Sequence, residues 1–219
     1  MNGDGLDDLL IGGTGSSEGG VRRGAAYLVL GPVSGGTRDL SLAADAKFVG
    51  EDDYDWAGSS VSGAGDVDGD GNVDVIAGSG FGGGPAVRVF SGVNGQLIQS
   101  YFAYASTLRD GVRVASGDVD GDGFADVITG PGTGGASNVR VFDGRTKAMT
   151  MSFFAFDPQV FTGTDVAVVD ADEDGRADIV AAAGITLPPE VKVYSGLAGD
   201  VLADFLAYDA EFTGGVFVG

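Results

Sequence analysis

Residues 65–80 read GDVDGDGNVDVIAGSG. Asp66, Asp68, Asp70 and Asp74 fall within nine residues, glycines lie between them, and an apolar run follows at once. Like charges crowded into one turn repel each other unless an opposite charge joins them. The arrangement returns as GDVDGDGFADVITG from Gly117 and as VDADEDGRADIVAA from Val169. The opening aspartates Asp66, Asp118 and Asp170 are each 52 residues apart. Other sub-motifs keep the same step. VRVF begins at Val87 and at Val139, and VKVY at Val191; SYFAY begins at Ser100, SFFAF at Ser152 and DFLAY at Asp204. A fixed period of this length marks a chain built from repeated supersecondary units.

A partial copy, NGDGLDDLLIGG, occupies residues 2–13. It aligns when Asn2, Asp4 and Asp8 take the places of Asp68, Asp70 and Asp74, so its opening aspartate is absent. Each full unit reads as four short strands, in the second unit AGSSVSGAG, VDVIAGS, AVRVFSG and QLIQSYFAY. They are rich in Val, Ile, Phe and Tyr and bounded by Gly, Asn and Asp turns. SGVNG at Ser91 and DGRTK at Asp143 read as hairpin connections. Helical periodicity is weak throughout. Repeated four-stranded antiparallel units of about 50 residues indicate an all-β fold, a β-propeller.

The units run over residues 1–56, 57–108, 109–160 and 161–213, with a final strand at 214–219. Three strands, three sets of four and one last strand make sixteen. The last strand is expected either to close a four-blade ring or to belong to a segment of a larger propeller, the favoured reading. Two copies forming one ring of eight is a further alternative. Open blade edges would invite self-association.

Composition narrows the partners. Thirty-two acidic against twelve basic residues give a net charge of -20, which repels nucleic acid and anionic membrane surfaces. Apolar runs fall far short of the ~20 residues of a membrane helix, so no membrane insertion is expected. The chain has no Cys and no His, which removes thiol chemistry, the commonest general base and the commonest transition-metal ligand. Residues 2–5, NGDG, do not begin a signal peptide, an absence also expected of a mature secreted domain.

The shared loop pattern is Asp-x-Asp-x-Asp-Gly-x-x-Asp. Carboxylates two residues apart in a tight loop converge on one centre. The sixth-place glycine, Gly71, Gly123 or Gly175, lets the backbone reverse. The seventh-place carbonyl, of Asn72, Phe124 or Arg176, then turns inward, and the ninth-place aspartate closes the ring of oxygens. Such a hard, all-oxygen set suits Ca²⁺; Mg²⁺ is the second choice and zinc is disfavoured. The loop is not an EF-hand, because place twelve is Ala77, Thr129 or Ala181 and strands flank it. Polar turns without an ion are the competing reading, the lesser one for a single copy and a remote one for three copies in register.

GAGDVDGDGNVDVIAGSG resembles the FG-GAP repeat of integrin alpha-subunit propellers and of bacterial surface proteins. The later units, with VRVFDG and SFFAFD, resemble the related VCBS-type repeats. The resemblance covers nearly the whole chain and implies Ca²⁺ in the loop between the first and second strands of each blade. By position, one site would comprise Asp66, Asp68, Asp70, Asn72 (carbonyl) and Asp74. A second would comprise Asp118, Asp120, Asp122, Phe124 (carbonyl) and Asp126, and a third Asp170, Asp172, Asp174, Arg176 (carbonyl) and Asp178. The first copy retains Asn2, Asp4, Leu6 (carbonyl) and Asp8, so about three sites are expected, with a fourth incomplete. Glu173 stands where a glycine is usual.

Tyr101, Phe102, Phe153, Phe154 and Phe205 read as blade-to-blade core. Arg88, Arg140 and Lys192 share one position and are expected to be solvated or paired with acids. The alternative is a basic row gripping an acidic ligand. Trp56, in EDDYDWAG, reads as a packing cap, with glycan stacking as the alternative. GGTGSSEGG from Gly12 precedes no helical pattern and is not a phosphate cradle. The functional expectation is a calcium-binding, non-catalytic, extracellular or cell-surface module that binds a protein or glycan ligand. A structural spacer is one alternative. The propeller part of a secreted polysaccharide lyase or hydrolase is another, for which Asp52 and Asp55 are the acid–base candidates.

Overall fold

A computed structural model describes residues 4–33 and 36–219. The first sheet contains β1 (Leu9–Gly13), β2 (Ala25–Val29) and β3 (Ala46–Val49) in that order. A single helical turn, α1 (Leu40–Ala43), precedes β3 and is capped by the Asp39 side chain, which accepts from Ser41 N. The second sheet is β4 (Ser60–Gly63), β5 (Val75–Gly78), β6 (Ala86–Phe90) and β7 (Leu97–Phe102). The third is β8 (Val112–Gly117), β9 (Asp126–Pro131), β10 (Asn138–Phe142) and β11 (Met149–Phe154). The fourth is β12 (Thr164–Val169), β13 (Asp178–Ala183), β14 (Glu190–Tyr194) and β15 (Val201–Leu206). Every pairing is antiparallel between sequence neighbours, the meander of a propeller blade. The register shifts at Val89/Phe90, Val141/Phe142 and Val193/Tyr194, so the same bulge recurs at the repeat step.

The apolar cores lie between sheets. Phe48 and Val75 belong to the seam between the first and second sheets, Val87 and Val127 to the next, and Val139 and Ile179 to the third. Glycine sets their closeness: a Cβ at Gly12, Gly78 or Gly130 would lie 2.1, 2.6 or 2.3 Å from a carbonyl oxygen of the next sheet's approach. Aromatic pairs rivet each seam, Phe48–Phe90, Tyr101–Phe142 and Phe153–Tyr194, with centroids 4.5–5.1 Å apart. The core expectation therefore holds for Tyr101 and Phe153. Strand alternation turns Phe102 and Phe154 outward, whereas Phe205 shares the register position of Tyr101 and Phe153 but no further sheet among the described residues covers it; each of the three is about half exposed.

The expected sixteenth strand does not form. Residues 214–219 run extended against the fourth sheet: Val216 N donates to Ala183 O and Val218 N to Asp165 Oδ2. Val216 is buried there, whereas Phe217 is 75% exposed. These bonds go to the fourth sheet and not to β1, so the described residues form an open arc, not a four-blade ring.

Candidate metal centres

In the second, third and fourth sheets the acidic loop joins the first strand to the second; in the first sheet the partial copy precedes β1. In the second sheet, Asp66 accepts from Gly69 N (2.6 Å) and Gly71 N (2.9 Å), which wraps the loop around its carboxylate. Asp118 does the same with Gly121 N (2.7 Å) and Gly123 N (2.9 Å). Asp170 accepts from Asp174 N and Gly175 N, both at 3.1 Å. The third-place aspartates Asp68, Asp120 and Asp172 accept from the amide two residues on. So do the fifth-place ones: Asn72 N to Asp70, Phe124 N to Asp122, and Arg176 N to Asp174. The sixth-place glycines carry φ of +84°, +90° and +84°. These side-chain-to-backbone bonds are intrinsic to Asp at such spacing, so the loop shape follows from local sequence.

The partial first copy adopts the same turn. Leu6 N donates to Asp4 Oδ1 at 2.9 Å and Gly5 has φ +82°. Asp8 accepts from Gly31 N (2.8 Å), as Asp74 does from Gly92 N. Asn2 lies outside the described residues.

Three groups of carboxylates converge: Asp66–Asp68–Asp70, Asp118–Asp120–Asp122 and Asp170–Asp172–Asp178, each offering oxygens within 4.8 Å of one another. Oxygens bound to one Ca²⁺ at 2.3–2.6 Å lie at most about 5 Å apart, so each group fits around one ion. Two full charges at that separation repel by about 1 kcal/mol in water and about 3 kcal/mol near a protein surface. A divalent cation removes that repulsion. The donor chemistry, carboxylate oxygen without imidazole or thiolate, fits Ca²⁺.

The ninth-place aspartates do a second job that the sequence pattern did not announce. Asp74, Asp126 and Asp178 are buried. One oxygen of each accepts from the amide after the opening aspartate: Val67, Val119 or Ala171. The other accepts from Gly92, Gly144 or Gly196, in the turn joining the third and fourth strands. Each therefore clamps the acidic loop to the neighbouring hairpin. Burial raises the Asp74 carboxyl and lifts Asp126 to about 6, against the pull of the amides it accepts from. Asp178 also reaches the converging group, whereas Asp74, Asp126 and Asp174 stand outside the three groups. The third loop differs at place four, where Glu173 takes φ +60° in the position of Gly69 (+80°) and Gly121 (+79°).

Neighbouring loops touch. Ala125 N donates to Asp66 O (3.0 Å) and Ala177 N to Asp118 O (2.8 Å). The Phe124 ring covers Gly69, and Arg176 reaches back to donate to Asp120 O (2.9 Å). Arg145 lies over the Phe124 ring at 4.3 Å.

The shared basic position is paired rather than open. Arg88 donates to Glu51, Arg140 donates to Ala103 O and lies over Tyr104, and Lys192 sits beside Glu190 and Asp204. Trp56 is half-buried beneath Arg22, whose guanidinium stands 5.1 Å from the ring.

Successive antiparallel blades, each with an acidic loop between its first two strands, define a propeller repeat protein with cation-type loops. A family model for the FG-GAP-like repeat matches residues 66–129. Integrin alpha-5 of Xenopus laevis is 31% identical over 179 residues, covering 74% of this chain and 16% of the integrin. The rhamnogalacturonan lyase PL11 of Bacillus licheniformis superposes with a TM-score of 0.51 at 16% identity, over 96% of this chain and 49% of the lyase chain. That second likeness is one of fold. The chain carries an FG-GAP-like repeat at residues 66–129 and is similar in sequence to an integrin alpha subunit.

Proposed function

We propose that this chain is a calcium-binding, non-catalytic repeat module that works outside the cell and presents its blade loops to a protein or glycan ligand. The observation that carries this reading is the convergence of three all-oxygen carboxylate groups, one per complete blade. Asp66, Asp68 and Asp70 would hold the first ion, Asp118, Asp120 and Asp122 the second, and Asp170, Asp172 and Asp178 the third. The carbonyls of Asn72, Phe124 and Arg176 are the further ligands that the family resemblance implies. Bound Ca²⁺ would supply charge neutralisation and rigidity. The chain's own amides already hold the carboxylates in place, which limits the ordering that binding requires. Exposed all-oxygen sites of this kind suit the high Ca²⁺ levels found outside cells.

Two carboxylates considered for acid–base work, Asp52 and Asp55, are joined differently: Asp55 Oδ2 accepts from the Asp52 amide at 3.0 Å. That bond orders a turn. Calorimetric titration of the metal-free chain with Ca²⁺, and separately with Mg²⁺, tests the reading. About three Ca²⁺ per chain, with weaker Mg²⁺ binding, is the expected outcome. A stoichiometry unchanged in Asp120→Asn would show that the second loop is not a site.

A further inference from the structure

A cleft of about 470 Å³ lies between the loop that follows β3 and the second sheet, within the range of small-ligand sites. Its walls come from residues 51–55, from Gly82–Gly84 and from the ends of β6 and β7. These connections lie at the opposite end of the blade from the acidic loops. One wall, residues 51–55, belongs to the part of the chain that departs from the repeat, and it sets this cleft apart from the other blades.

Three features prepare it for a ligand. First, its floor is bare backbone. A Cβ at Gly83 would lie 2.8 Å from Asp55 O, and one at Gly84 would lie 3.0 Å from the Phe102 ring. Second, two aromatic faces stand open beside that floor, Tyr54 at 53% and Phe102 at 56% exposure. Tyr54 holds φ +68° while half exposed, and Arg22 and Trp56, strapped to the same loop, hold φ +50° and +51°. Strain of this kind, not repaid by burial of Tyr54, is characteristic of binding sites. Third, the polar groups are already aimed. Glu51 is fixed by Arg88 at 2.8 Å, and Arg109 is tethered by the carbonyls of Ser106 and Leu108. The Asp52 carboxylate meets no protein partner among the described residues.

We propose that this cleft binds a short neutral oligosaccharide. Tyr54 and Phe102 would stack on the apolar faces of its sugar rings, and Asp52, Glu51 and Arg109 would bond its hydroxyls. The lining holds four carboxylates, Glu51, Asp52, Asp53 and Asp55, against Arg88 and Arg109. That balance repels a polyuronate. The floor at residues 82–84 is a turn and offers a peptide no strand to pair with, and the free edge of β7 is addressed by the peptide arm of the test.

This inference rests on the binding-module reading above, and its test separates the two. The full chain, with Ca²⁺, is titrated with neutral gluco-, galacto-, manno- and xylo-oligosaccharides, alongside a uronate oligomer and a basic peptide. The expected result is binding of a neutral oligosaccharide. Tyr54→Gly and Phe102→Ala should each weaken it about two- to tenfold, the size of one aromatic contact. Tyr54→Gly should also melt at the same or a higher temperature, because glycine relieves the positive φ. A folding defect would lower binding and melting temperature together. Sugar binding that ignores both variants overturns the cleft and leaves the module reading standing. Binding of the basic peptide or the uronate alone overturns the sugar assignment. Binding of none of the three classes overturns the proposed site, while the Ca²⁺ stoichiometry still judges the metal loops on their own.

Discussion

Glu173 is the residue at which local chemistry and repeat geometry disagree most. It occupies φ +60°, where the equivalent residues of the other two loops are glycines. A left-handed conformation costs a residue with a Cβ about 1–2 kcal/mol, part of which glycine gives back through its greater freedom in the unfolded chain. Glu173→Gly is therefore expected to raise stability by about 0.5–1 kcal/mol, read as a higher melting temperature. An unchanged or lower melting temperature would mean that the Glu173 side chain contributes what its backbone loses. Asp126 gives a pH signature. Its folded carboxyl titrates near 6 against 3.8 for an ordinary aspartate. In metal-free protein the folded state thus keeps a proton that the unfolded chain has already released. The contribution of this group is fully present below about 4 and is lost as pH rises to about 6. Wild type should lose stability relative to Asp126→Asn over that window in chelator. Added Ca²⁺, which favours the ionised form, should reverse the trend. Parallel profiles in chelator would contradict the burial assigned to Asp126.

At the scale of the element, the acidic loop and its blade were legible for different reasons. The strands could be read because apolar residues recur at a 52-residue step, and the loops because Asp-x-Asp-x-Asp-Gly dictates its own turns. Even the partial first copy could be placed, and the bonds Leu6–Asp4 and Gly31–Asp8 match their counterparts. The role of the ninth aspartate could not be read. Its partners, such as Gly92 for Asp74, lie 18 residues away in sequence, and no local pattern links them. Residues 51–56 were hard to interpret for the opposite reason: they have no repeat to be compared with, and their strain is visible only in the backbone. Loop-to-loop contact was equally hidden, because Phe124 at place seven looks like a carbonyl donor with an arbitrary side chain. In the fold that side chain covers Gly69 of the preceding loop. Phe124→Ala should lower stability by about 1–2 kcal/mol, less than truncation of a fully buried Phe. It should also weaken Ca²⁺ binding at Asp66–Asp68–Asp70, one loop away. Titrations in which only the loop containing residue 124 responds would show that the loops act independently.

Across the whole molecule, stability is expected to build sheet by sheet, as in other repeat proteins where each unit contacts its neighbours. The seams carry the apolar burial and the loops carry the charge, so the net charge of -20 is concentrated where cations would bind. Closure of a four-blade ring by residues 214–219 was the alternative reading of the strand count, and a segment of a larger propeller the favoured one. The structure instead lays this segment along the fourth sheet, because Ala183 O and Asp165 receive its amides there. The central claim, that the acidic loops are cation sites on which the fold depends, is most directly tested by thermal melting in about 2 mM Ca²⁺ and in excess chelator. Three sites with dissociation constants of about 0.1–1 mM would add about 2–5 kcal/mol at that concentration. The account predicts a clear upward shift in Ca²⁺ that chelator abolishes. Identical melting curves in the two conditions would reduce the loops to polar turns and remove the basis for the calcium reading.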